Sequence, residues 1–163
     1  MGWVRAHYLD ASALVKLVVD EPDSRAVRDF FQANTNFHTT SLCLGEALGV
    51  LKGKWSRSEI SSDAYYAGTR RLIIDAWGKR IALDNVELLE PMMHPQVEAM
   101  AKKYGLDLSD ALQLVTILKG RFSTLGPNSS SALITADKGL AKAAEAEKIR
   151  VWNCSAGPVP AWP

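Results

Sequence analysis

Cysteine is scarce in this chain: Cys43 and Cys154 are the whole complement. Two thiols so far apart in sequence exclude a disulfide framework, a CxxC redox pair and a zinc knuckle, and they fit a reducing cytoplasm. Long hydrophobic runs are also missing. The most apolar N-terminal stretch, YLDASALVKLVV, is interrupted by Asp10 and Lys16. It is too short and polar to span a bilayer and makes a poor signal-peptide core, so no membrane association is expected. The opening MGWVRA has Ala6 where a myristoylation start wants Ser or Thr. Neither sign of charge prevails. Nineteen Lys and Arg face eighteen Asp and Glu, a formal net charge of +1, so no whole-molecule field attracts nucleic acid or an anionic surface. A charged partner has to be met by a local patch. Histidine is equally sparse, and His7, His38 and His94 lack the spacing of metal ligands.

What is present is the material of one packed domain. The chain has 163 residues and 17.8 kDa, 47% hydrophobic and 23% charged. A chain of this size removes roughly 70% of its unfolded surface from water, enough to fold without a disulfide or a metal. Short apolar runs alternate with helical patterns throughout. His7 to Asp10 reads as a strand ending in an acid, and Ser12 can cap the helix ALVKLVV that follows. Glu21 and Pro22 break that helix, and Asp23 opens SRAVRDFFQA with Ala26, Val27, Phe30 and Phe31 on one face.

Phe37 to Thr40 is a second β-prone run. Ser41 can cap LCLGEALGVLKGK, with Cys43, Ala47, Val50 and Leu51 as its apolar stripe. Ser56 and Glu59 have capping-box spacing before a helix running to Trp77. VELLE is the expected third strand. Pro95 opens, and Gly105 ends, the helix QVEAMAKKY; Ser109 and Asp110 begin ALQLVTILKG. After the loop from Arg121 to Ser131, SALITAD is a strand ending in an acid, KGLAKAAEAEK a helix and IRVW a last strand. This alternation predicts an α/β fold with a central parallel sheet and helices on both faces. Residues 1–156 are expected to form a single domain, and 157–163, GPVPAWP, a Pro-rich tail.

The acids fall in a pattern. Asp10 and Asp137 each end an apolar strand, Glu46 sits early in a helix that follows a strand, and Asp110 opens a helix. In parallel sheets, strand ends and the starts of the next helices share one edge, where ligands bind. A single acid at such a position is as readily a helix cap, and Glu46 alone could belong to a solvated face. Together, two carboxylates about 4 Å apart repel by roughly 4 kcal/mol at an effective dielectric of 20, so four at one edge call for a cation. Oxygen donors without Cys or His suit Mg2+ or Mn2+ better than Zn2+.

The segments YLDASALVKL, TTSLCLGEALGVL, LDLSDALQLVTIL and ITADKGLAKAA, in this order, resemble the four motif regions of PIN-domain ribonucleases. The closest likeness is to VapC toxins of toxin–antitoxin pairs. The resemblance runs from about His7 to Trp152 and implies a three-layer PIN-like fold. It implies that Asp10, Glu46, Asp110 and Asp137 are the catalytic, metal-binding acids, with Ser12 and Thr135 as polar supports. Asp107 either shares a helical face with Asp110 or caps the helix, and the cap is favoured. The implied reaction is hydrolysis of an RNA phosphodiester by water activated at the cation, leaving a 3′-hydroxyl and a 5′-phosphate. The loop RFSTLGPNSSS and the tail GPVPAWP depart from the family pattern without removing a motif residue.

From Lys52 to Arg80 the chain carries seven basic residues against three acidic ones. Lys52, Lys54, Arg57, Arg70 and Arg71, interleaved with Trp55, Tyr65, Tyr66 and Trp77, could grip phosphates and stack unpaired bases. A solvated helix face with core aromatics is the other reading. The resemblance also implies that a cognate antitoxin protein docks over these helices and that the chain is a homodimer. Taken together, the sequence suggests the toxin of a type II toxin–antitoxin pair, a Mg2+- or Mn2+-dependent endoribonuclease. The alternative is a catalytically inactive PIN module that binds RNA or a protein partner. A phosphatase with an aspartate nucleophile is disfavoured, because Ser12 stands where its second acid belongs.

Overall fold

A computed structural model describes residues 6–87, 90–124, 126 and 129–162. Five strands form one sheet: β1 (His7–Leu9), β2 (Phe37–Thr39), β3 (Ile81–Leu83), β4 (Ala132–Thr135) and β5 (Arg150–Asn153). Every pairing is parallel, and the order across the sheet is β3-β2-β1-β4-β5. This is the α/β three-layer arrangement expected from the alternating pattern. The strands are three or four residues long, and the three inner ones, β2, β1 and β4, are buried throughout, which is why they read as short continuous runs rather than as alternation.

Side chains still alternate between two cores. Leu9 and Ile134 join a cluster with Leu14, Phe31, Cys43, Leu51, Leu72 and Trp152. Tyr8 and Leu133, one residue away, join Leu114, Ile117, Leu140 and Ala144 on the opposite face. The first core is built by α1 (Ala11–Val18), α2 (Ser24–Ala33), α3 (Ser41–Ser56) and α4 (Ser62–Trp77). The second is built by α6 (Leu108–Lys119) and α7 (Lys138–Ala146), with α5 (His94–Tyr104) packed outside α6 through Val97, Ala111, Leu112 and Val115.

The third strand is Ile81–Leu83 and not VELLE. IAL has the same short apolar character but stands beside a charged run, which hid it; Val86 instead plugs the core between α5 and α6. Leu88 and Leu89 of VELLE lie outside the described residues. Three of the helix caps sit elsewhere than expected, while Asp107 takes the cap role favoured from spacing. Asp10 caps α1, Thr40 caps α3, Ser61 caps α4 and Asp107 caps α6, each side chain accepting from a backbone N–H three residues on. Serines at 12, 41 and 56 were plausible caps by type, but in each case a residue slightly earlier or later has the extended backbone a cap needs. Gly105, at φ 66°, ends α5 in the left-handed conformation that favours glycine.

Candidate active site

The chain runs outward from central β1 to β2 and β3, then returns to place β4 on the other side of β1. The crevice beyond the strand ends at this reversal is where open parallel sheets place ligands. Leu9 is in register with Ile134, so Asp10 and Thr135 emerge side by side there.

Asp10 is the most constrained of the acids. It is 2% exposed and receives hydrogen bonds from Ala13 N at 2.7 Å, Ser12 Oγ at 2.8 and 2.9 Å, and Thr135 Oγ1 at 2.6 Å. Ser12 and Thr135 are themselves held, accepting from the backbone N–H groups of Ala136 and Asp137. A small network thus joins β1, α1 and the end of β4 around one carboxylate. Burial nevertheless pushes Asp10 up to about 6, against the pull of these bonds, and the charge of Glu46 adds to the rise.

Asp110 shows the cluster as a whole. Its acidity is weakened to about 7, first by burial and then by the charges of Asp107, Asp10, Asp137 and Glu46. One group therefore feels every acid singled out in the sequence. Glu46 is exposed on α3, one turn beyond buried Cys43. Asp137 caps α7 by accepting from Leu140 N at 2.7 Å. Asp107 caps α6, its Oδ1 accepting from Asp110 N at 2.8 Å, which is the role favoured from spacing.

Among the described residues, no three or more His, Cys, Asp or Glu side chains are already arranged to hold a metal ion. The donor set still fits a hard divalent cation: carboxylates from four elements, mutually repelling, with no thiolate or imidazole among them. Cys43, at the base of this edge, is not a soft ligand in waiting, because burial pushes its thiol up to about 11.

The basic residues named from sequence are largely engaged with protein partners. Lys54 Nζ lies 2.6 Å from Glu21 and 3.4 Å from Glu59, Arg57 lies 2.5 Å from Glu59, and Arg71 lies 2.7 Å from Asp75. Lys52 sits 3.9 Å over the Trp55 ring, which itself stacks on Tyr65 at 4.7 Å. Arg70 is exposed and makes no ion pair among the described residues. Tyr66 and Trp77, 56% and 84% exposed, are the rings left open to solvent on α4.

A concavity of about 350 Å³ lies at the other edge of the sheet, walled by His7, Phe30, Asn34 and Trp162. It contains none of the acids. The carboxylate edge is the better candidate because it gathers groups that can hold a cation, which this hollow does not. Two residues outside the pattern of acids also shape this edge: Thr40, which caps α3, and Gln113, which with Thr116 is a buried polar residue in the otherwise apolar run of α6.

The PIN domain family model matches residues 7–146. Among solved structures, that of PAE2754 from Pyrobaculum aerophilum superposes with a TM-score of 0.55 at 20% identity, covering 85% of this chain and 84% of that one. At that identity the likeness concerns the fold alone. No curated protein matches the sequence. With the family model spanning most of the chain, and with its strands, helices and acids in the order described, this chain belongs to the PIN-domain family.

Proposed function

We propose that this chain is a metal-dependent endoribonuclease acting on RNA phosphodiester bonds, with Asp10, Glu46, Asp110 and Asp137 holding Mg2+ or Mn2+. PIN domains are in general nucleases. The observation that carries the reading is the gathering of these acids at one edge, felt at Asp110, whose acidity is weakened to about 7 first by burial and then by the charges of Asp107, Asp10, Asp137 and Glu46. Such a site is strained as a set of anions and relaxes on gaining positive charge. A bound cation would supply charge neutralisation at the phosphate and a more acidic water.

The protein's own groups divide the remaining work. Ser12 and Thr135 hold the Asp10 carboxylate in one orientation at the end of β1. Asp107 and Asp137 cap the starts of α6 and α7. Arg70, with Tyr66, offers a phosphate contact and an exposed ring on α4. We assign the chain the role of toxin in a type II toxin–antitoxin pair, working as a homodimer in the cytoplasm, with an antitoxin docking over α3 and α4. Among the described residues, no helix is long and apolar enough to cross a membrane.

The deciding experiment incubates purified, antitoxin-free protein with single-stranded and structured RNA in Mg2+, Mn2+ or EDTA, with DNA as comparison. Cleavage of RNA that appears with metal and vanishes in EDTA is the expected result. Binding without cleavage under every condition would favour the inactive module instead.

A further inference from the structure

Beneath the four acids lies a buried polar group whose side chain the proposed chemistry does not use. Gln113 is 0% exposed, in a stretch of α6 where Ala111, Leu112, Leu114 and Val115 are all buried. An amide in such surroundings is unfavourable unless its donors and acceptor are bonded. Packing alone would be served by leucine or methionine. Gln113 Nε2 donates to Leu9 O at 3.4 Å, and Gln113 Oε1 accepts from Cys43 Sγ at 3.2 Å. The orientation is forced, because a backbone carbonyl can only accept and the amide nitrogen must therefore face it. The thiol is then the donor, and Ser109 Oγ lies 3.6 Å behind it. Leu9 O also accepts from Thr39 Oγ1 at 2.7 Å, which draws β2 into the same knot.

Each end of this bridge sits next to an acid. Leu9 immediately precedes Asp10 on β1; Cys43 precedes Glu46 by three residues on α3; Gln113 follows Asp110 by three residues on α6. Three residues are about one helical turn, so each helical acid stands on the face of the residue that is clamped. We infer that Gln113 is a positioning residue for the carboxylate edge: one buried amide on α6, bonded to Leu9 O on β1 and Cys43 Sγ on α3, sets the spacing of the three elements that carry Asp10, Asp110 and Glu46. The inference rests on the reading of these acids as a cation site and adds to it the group that fixes their separation.

The test uses the full chain as wild type, Gln113→Leu, Cys43→Ala and Cys43→Ser, with folding checked by circular dichroism. Mn2+ binding is followed by the electron paramagnetic resonance of the free ion, and RNA cleavage is measured across a Mn2+ titration. Gln113→Leu keeps the volume and removes both bonds. It is expected to weaken Mn2+ binding at least fivefold and to raise the Mn2+ needed for half-maximal cleavage by the same factor, while kcat at saturating Mn2+ stays within twofold. Cys43→Ala should act in the same direction, and Cys43→Ser, whose hydroxyl also donates, should restore binding to near the wild-type level. A folded Gln113→Leu protein that binds Mn2+ within twofold of wild type overturns the inference. Should that variant not fold, equal Mn2+ affinity of Cys43→Ala and Cys43→Ser overturns it. Wild-type protein that binds no Mn2+ removes the cation site itself and the inference with it, a result distinct from normal wild-type binding with unaffected variants.

Discussion

At the scale of single residues, Asp10 joins a structural role to a chemical one. It caps α1 and is held by Ser12 and Thr135, yet burial leaves it protonated more readily than an ordinary aspartate. Asp10→Asn keeps size and capping ability and removes the charge, so we expect it to abolish metal-dependent cleavage in a protein that still folds. Wild-type cleavage by this variant across a Mg2+ titration would remove Asp10 from the site. The raised values of Asp10, about 6, and Asp110, about 7, also have a consequence for stability. The folded protein holds these protons more tightly than the unfolded chain does. Their contribution is therefore complete below about pH 4, the unfolded value, and is lost as pH rises through 6 to 7. In EDTA, the melting temperature of wild type relative to Asp110→Asn should fall across that window and level off above it. Mn2+ affinity should rise across the same window, since the cation competes with the protons. A difference between the two proteins that is flat from pH 4 to 8 would contradict the shifts.

At the scale of elements, the start of α6 separates two neighbouring acids by function. Asp107 bonds the Asp110 backbone N–H, while the Asp110 carboxyl feels the charges gathered at the strand ends. Asp107→Asn should retain most activity, because asparagine also caps; Asp107→Ala should lower stability by about 1 kcal/mol in urea unfolding. Asp110→Asn should lose cleavage without lowering the metal-free melting temperature. The reverse outcome, with Asp107→Asn dead and Asp110→Asn active, would move the ligand one turn along the chain. The hairpin of α3 and α4 is the element whose sequence promised most to RNA, and much of that promise is taken up internally. Lys54, Arg57 and Arg71 hold Glu21, Glu59 and Asp75, and Trp55 stacks on Tyr65. Composition counted these charges correctly, but a linear sequence does not show that Glu21, in the turn between α1 and α2, reaches Lys54 on α3. Arg70 is the basic residue left to test: Arg70→Glu should weaken RNA binding and flatten its dependence on salt, as fewer counterions are released. Unchanged affinity at low and moderate salt would assign this face to a protein partner.

At the scale of the whole molecule, the two edges of the sheet have different chemistry. The strand ends carry the acids, whereas the strand starts carry a ring cluster in which the tail takes part: Trp162 lies 6.4 Å from His7 and 6.1 Å from Phe30, and Trp152 Nε1 donates to Gly157 O. The Pro-rich tail, largely exposed, thus reaches back to the domain through Trp162. Trp162→Ala should lower stability by roughly 1–2 kcal/mol, from lost ring contacts and buried area, and leave cleavage intact because His7 is at the other end of β1 from Asp10. An unchanged unfolding midpoint would show that the tail contributes nothing.

The order of strands and helices, the parallel sheet and the identity of the acids at strand ends were legible in the sequence by itself, because they depend on local periodicity and on short-range backbone rules. Asp10 after YL and Asp137 after ITA announced themselves in this way. Other features depended on which segments meet. The strand at Ile81–Leu83 was settled by pairing with β2, since IAL and VELLE are alike in propensity and only one lies beside Phe37–Thr39. That Thr135 bonds Asp10 from 125 positions away, and that Gln113 reaches Leu9 O across 104, follow from the placement of β4 and α6 beside β1. The weakened acidity of Asp110 has the same origin: burial and four neighbouring charges are properties of the folded edge, and none of them exists until distant segments have closed around it.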